Sequence, residues 1–305
     1  LQIVQTYNAI QQAFPGASSP ATVVFQAPDV TAPHVQAEIA RLRTRALASG
    51  VMKEPIRTSI NHAHTVETVD IPLVGDGQNA AAVHALGVLR SMTTAPVTGE
   101  TAGDVDFTSA TRSHMPIVFG FVLGLAFLLL LLTFRSIVIP IKAIVLNLLS
   151  VGAAYGVLVW IFQDGHLQGL LGFHSNGGIV TWLPLFLFTV LFGLSMDYHV
   201  FIVSRIKELV DGGMATDEAV ERGIRSTAGT VTSAALVMVA VFSIFATLST
   251  LDMKQLGVGL AVAVLLDATI VRAVLLPATM KLLGKWNWYL PRGLHWLPRL
   301  QPELA

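Results

Sequence analysis

The chain has 305 residues and a formal net charge of zero, 19 Lys plus Arg against 19 Asp plus Glu. A composition 53% hydrophobic and 12% charged is too apolar for a soluble enzyme, and the neutral balance lacks the basic face that nucleic acid requires. With no cysteine, disulfides, thiolate metal sites and cysteine nucleophiles are excluded.

Residues 1–114 read as ordinary globular sequence. Ile3, Tyr7, Ile10 and Phe14 follow helical spacing from the first residues, and without an initiator Met the chain reads as a fragment that starts inside a helix. Ala21 to Gln26 is a β-branched and aromatic run, expected as a strand. A helix is expected from Pro33 to Leu47, with Val35, Ile39, Leu42 and Ala46 on one stripe. Strand-like runs follow at Pro55–Asn61 and Thr65–Leu73, joined by the turn Asn61-His62-Ala63-His64. Asp76 is expected to cap a helix through Arg90, and a last weak strand falls near Ala95 to Gly99. The order β-α-β-β-α-β is that of a ferredoxin-like α+β sandwich.

From Met115 the sequence becomes a series of stretches long enough to cross the roughly 30 Å hydrocarbon layer as helices. They run Met115–Phe134, Lys142–Asp164, Ile179–Ser204, Ser226–Leu251 and Leu256–Met280, giving a polytopic protein with five transmembrane helices. The expected domains are an extracytoplasmic one over 1–114, a membrane domain over 115–285 and a cytoplasmic or interfacial tail over 286–305. Arg135, Lys142, Arg205, Lys207, Arg222, Arg225, Lys281, Lys285, Arg292 and Arg299 gather on one side and only Lys254 on the other. Because Lys and Arg in short loops resist translocation, the first side is cytoplasmic and residues 1–114 lie outside the cytoplasmic membrane. The stretch Arg205 to Arg225 is expected to form an amphipathic connector at the headgroups, with a helix start at Thr216. Trp286, Trp288, Tyr289 and Trp296, mixed with Lys and Arg, resemble an interfacial anchor.

Asp197 interrupts the third span, where a charge costs at least about 2.5 kcal/mol, so it needs a reason to be there. A carboxyl whose charged form is poorly solvated loads and releases a proton near neutral pH. Asp197 and Tyr198 stand about 100° apart on the helix and address different neighbours. Gly193, Asp197 and Phe201 recur at i, i+4 and i+8 as one stripe. Asp267 and Arg272 in the last span lie five residues apart, off a common α-helical face, so a structural ion pair, or pairing of each with another helix, stands beside proton carriage as their role. Thr230, among the small polar residues of the fourth span, is a candidate partner for a facing Asp. His199 is expected to face away from Asp197 at headgroup level. His166 and His174 have no metal-ligand spacing, so neither metal nor cofactor is expected. No phosphate loop or Ser-His-Asp arrangement supports ATP-driven transport or hydrolysis.

The stretch Gly193-Leu-Ser-Met-Asp197-Tyr198-His-Val-Phe201-Ile-Val-Ser-Arg205 closely resembles the hallmark helix of the MMPL family, within the resistance-nodulation-division superfamily of proton-driven exporters. Leu265-Leu-Asp267-Ala-Thr-Ile-Val-Arg272 and Leu275-Leu-Pro277-Ala resemble that family's final helix. The resemblance implies the second half of a two-repeat transporter, whose first repeat is a missing partner. It further implies Asp197 and Tyr198 as this half's proton relay, Phe201 as its aromatic plug, and Asp267 with Arg272 as auxiliary polar residues. Relatives of this kind move lipids, glycolipids, siderophores or antibiotics outward, mainly in actinobacteria, so the expected function is secondary export of a hydrophobic or amphiphilic molecule, with protons and the bilayer as partners. Two alternatives share the helix bundle: a sterol-sensing lipid receptor and a SecDF-type protein translocation subunit.

Overall fold

The computed structural model describes residues 20–75, 79–175 and 177–297, with Thr6 and Ala9 before them. The opening helix (apart from those two positions), the Asp76 cap and Arg299 lie outside the described residues. Two compact units divide between Ser113 and His114.

The first unit is built on β1 (Ala21–Gln26), α1 (Pro33–Ala48), β2 (Arg57–Ile60), β3 (Val66–Ile71), α2 (Ala80–Met92) and β4 (Val97–Thr98). The four strands form one antiparallel sheet in the order β2-β3-β1-β4, the ferredoxin-like arrangement. Strand alternation sends Ala21, Val23 and Phe25 of β1 and Val69 and Ile71 of β3 into the core. Val35, Ile39, Leu42 and Ala46 of α1 meet them there, as do Ala85, Leu86 and Leu89 of α2. Glu67 points to the same face and is buried, where the Gln36 amide donates to its carboxylate at 2.6 Å. The turn is held by Asn61, whose Oδ1 accepts from the backbone of Thr65 and Val66 at 2.9 and 3.0 Å. Asn79 caps α2 by accepting from the Ala82 N–H at 2.9 Å. Gly99 has φ +121° and a Cβ there would lie 2.7 Å from the Pro20 carbonyl oxygen, so only glycine fits this corner.

Among the described residues, five helical spans are long and apolar enough to cross a membrane. They are α3 (Glu100–Phe134), α4 (Val138–Leu158) continuing as a π-helical turn to Gln163, α6 (Leu183–Asp211) and α7 (Thr216–Phe245). The last comprises α8 (Leu251–Leu266), a π-helical segment (Asp267–Leu275) and α9 (Leu276–Leu283). A four-residue helix, α5 (Gln168–Leu171), lies in the loop before α6. Numbers rise along α4 as they fall along α6, since Tyr155 bonds to Pro184 and Asn147 to Ser195, so these helices are antiparallel. Phe162, Phe188, Phe192 and Leu187 fill the centre of the bundle. Close approach is permitted at Gly257, where a Cβ would lie 2.6 Å from the Ala246 nitrogen.

The expected headgroup connector between Arg205 and Arg225 is not a separate element. α6 runs on to Asp211 and α7 begins at Thr216, with only the turn 212–215 between them. The extension is a good helix because Arg205 pairs with Glu208 and Lys207 with Asp211 at i,i+3 and i,i+4. Lys254, expected in an outer loop, is instead buried in the first turn of α8, donating to the Leu171 and Ala246 carbonyls at 2.7 and 3.1 Å. A buried ammonium is tolerable where carbonyl oxygens replace its water.

Candidate functional site

α6 carries two polar faces. On the outer one, Gly193, Asp197 and Phe201 are all exposed, Phe201 by 46%. None of the hydrogen bonds or ion pairs among the described residues involves Asp197. Thr230 is also exposed, on α7, and is not bonded to it. Its neighbours Ser226, Thr227 and Ser233 donate back to carbonyls of their own helix, three or four residues earlier. An acid in mid-helix among apolar residues, exposed and unpartnered, is a chemically available carboxyl.

The inner face is closed. Ser195 Oγ bonds to Asn147 Oδ1 on α4 and lies 3.0 Å from Asp267 Oδ1. Asp267 and Arg272, 9% and 4% exposed, form an ion pair, with Arg272 Nε at 2.9 Å from Asp267 Oδ2. Sequence spacing separates these two on an α-helix, but the π-helical segment from Asp267 advances by i→i+5 bonds and stacks them on one face. Arg272 also donates to the Ser195 carbonyl at 3.0 Å, tying the last span to α6. Hydrogen bonds from both partners to Ser195 offset part of the cost of burying the pair.

Tyr198 joins the two faces. Its ring lies under the Arg272 guanidinium, 4.6 Å from centroid to Cζ, and its hydroxyl donates to Met238 Sδ of α7 at 3.2 Å. The neighbour it addresses is thus α7, which presents a thioether at that level. Asn147, Ser150, Ser195, Tyr198 and Asp267 line a cavity of about 20 Å³, room for one water.

His199 does face away from Asp197: it is 3% exposed on the inner face of α6, one turn beyond Ser195. Buried atoms without a partner among the described residues include His199 Nε2, Asn147 Nδ2, Arg272 Nη1 and Trp288 Nε1. An unmet donor or acceptor costs about 1–3 kcal/mol unless water meets it. Trp288, expected at the interface, is half-buried with the Lys207 ammonium 5.2 Å above its ring, while Trp286 and Trp296 are exposed.

Residues 2–300 match the model of the MMPL family. The chain belongs to the MMPL family. It is 38% identical over 273 residues to the mycolic acid-containing lipids exporter MmpL11 of Mycolicibacterium smegmatis, covering 82% of this chain and 28% of that one. To the trehalose monomycolate exporter MmpL3 of Mycobacterium tuberculosis it is 36% identical over 316 residues, 99% of this chain and 33% of the other. A third relative, 43% identical over 208 residues and covering 68% of this chain and 21% of its own, carries the name heme uptake protein MmpL11 in Mycobacterium tuberculosis. The chain thus spans a third or less of the length of these relatives. MMPL proteins are transporters of the resistance-nodulation-division superfamily.

Sequence reasoning about this MMPL chain missed three residues of the inner cluster. Asn147 and Ser150 carried the same signal as Asp197, a polar side chain in an apolar span. Ser195 carried none, since a lone serine satisfies itself on its own helix.

Proposed function

We propose that this chain is one half of a proton-motive-force-driven exporter that moves lipids or other hydrophobic or amphiphilic molecules outward across the cytoplasmic membrane. Residues 1–114 serve as the extracytoplasmic porter-like domain, 115–285 as the membrane domain and 286–305 as a tail at the cytoplasmic interface. Short-loop Lys and Arg support this orientation.

The observation that carries the reading is Asp197, exposed in mid-span with no partner of its own. A lipid-facing carboxyl has no physical justification, whereas one meeting a second repeat does. In this reading Gly193 admits the partner helix closely and Phe201 closes the relay toward the basic end. Thr230 borders the same face. Protonation neutralises Asp197 and changes its bonds to that partner, which gives the two states of the transporter the free-energy difference a conformational change needs. Tyr198 is the second member of the relay pair.

Substrate class follows the exporters among the relatives, with mycolate-type lipids first. The heme-uptake name of one relative makes heme the second substrate to assay. The test is Asp197→Asn in the complete transporter: lipid export falls to background while the protein stays in the membrane at normal level. Export at wild-type rate contradicts the relay. Export abolished by a protonophore separates this reading from a lipid receptor.

A further inference from the structure

At the end of the bundle where α3 turns into α4, the cations of α6 and α7 have acids beside them. Arg205 pairs with Glu208 and Lys207 with Asp211, while Arg222 and Arg225 follow Glu218 and Glu221 by one helical turn. The last segment is different. No Asp or Glu occurs between Asp267 and Glu303. Lys281, Lys285 and Arg292 are exposed, and no hydrogen bond or ion pair among the described residues engages their side chains.

Large apolar groups stand between these cations. Leu282, Trp286 and Trp296 are 85%, 66% and 76% exposed, and Tyr289 is half-exposed. The segment is nevertheless pinned along its length. Three consecutive residues of the corner between α3 and α4 hold it: Arg135 Nη2 donates to the His295 carbonyl at 2.9 Å, Ser136 Oγ to that of Asn287 at 2.6 Å, and the Ile137 N–H to that of Tyr289 at 3.2 Å. Asn287 is buried, its amide donating to the Met280 and Gly284 carbonyls at 2.7 and 2.8 Å while its Oδ1 accepts from the Lys142 ammonium at 3.3 Å. Leu297 is buried at the far end. A segment so fixed, yet turning two indoles, a phenol ring and three free cations outward, presents them to a partner outside the chain.

We propose that the tail from Lys281 to Leu297 is a surface selective for anionic phospholipids, with Lys281, Lys285 and Arg292 meeting the headgroup phosphates and Trp286, Tyr289 and Trp296 seated just beneath them. The inference rests on the proposed placement of this tail at the membrane interface and adds the class of lipid. Trp and Tyr suit that boundary because their apolar body enters the acyl region while the polar tip stays among the headgroups. Charge complementarity selects the lipid: three unpaired cations with no acid in the same segment are attracted to an anionic leaflet and gain nothing from a zwitterionic one. Through the bonds to Arg135, Ser136 and Ile137, the headgroups held by the tail are tied to the corner between α3 and α4.

The complete transporter is reconstituted in phosphatidylcholine vesicles carrying a minority of brominated phosphatidylglycerol or, at the same mole fraction, brominated phosphatidylcholine, whose bromines quench tryptophan on contact. Quenching that disappears in the double variant Trp286→Phe, Trp296→Phe belongs to the tail. That part is expected to be roughly fivefold stronger with the anionic lipid. The ratio falls to about one in the triple variant Lys281→Gln, Lys285→Gln, Arg292→Gln at unchanged melting temperature, and also in wild-type protein in about 1 M salt, where screening acts over roughly 3 Å. Equal quenching of the wild-type tail by both lipids at low salt overturns the selectivity and leaves the tail at the interface. No tail quenching by either lipid, the result if a protein partner covers this surface, overturns the placement at the bilayer and the inference with it.

Discussion

Two aspartates in one helical bundle receive opposite treatment. Asp267 is locked: the π-helical segment brings Arg272 to it, Ser195 and Asn147 complete its surroundings, and water reaches little of it. Asp197 is left exposed, without a bond, on a stripe of glycine and apolar side chains. A charge that stabilises a fold looks like the first, because an ion pair in a low-dielectric interior needs further hydrogen bonds to offset its desolvation, here those to Ser195. A charge kept for use looks like the second, since its cost is compensated by nothing inside the chain.

That contrast can be broken by mutation. Arg272→Met strands Asp267 without its cation and is expected to destabilise the bundle by about 3–5 kcal/mol, read as thermal unfolding of purified protein. Replacing both, Asp267→Leu with Arg272→Met, recovers most of that loss; no recovery would mean the pair is not the unit described. Ser195→Ala removes one hydroxyl from the same cluster and is expected to cost about 1–3 kcal/mol. Asp197→Asn and Thr230→Ala, on the open face, are expected to change the unfolding transition by less than about 0.5 kcal/mol, although under the proposed function the first is expected to abolish export. A large stability loss in Asp197→Asn would make it a structural acid like Asp267.

The two faces also differ in how far they could be read from sequence. The open stripe was legible because i, i+4, i+8 spacing is a property of any α-helix. The sheet was legible for the same kind of reason: Val23 and Phe25 alternate, and Val35, Ile39, Leu42 and Ala46 recur at helical period. The buried cluster was not. Its key contact depends on a π-helical segment whose extra residue per turn brings Arg272 onto the face of Asp267, and composition carries no trace of that. That His199 faces away from Asp197 was legible from the two-residue offset on a helix; that the same side chain is buried among its neighbours was not, because it depends on the packing of other spans against α6. Lys254 was misread as a loop cation, because its two carbonyl acceptors come from distant segments, Leu171 and Ala246.

The central claim is that Asp197, and not Asp267, changes protonation during turnover. Infrared difference spectra of the complete transporter across a pH titration test it directly, because a carboxylic acid and a carboxylate absorb at different frequencies. The account predicts a protonation band that disappears in Asp197→Asn and remains in Asp267→Asn. The same band persisting in Asp197→Asn, and vanishing in Asp267→Asn, would contradict it.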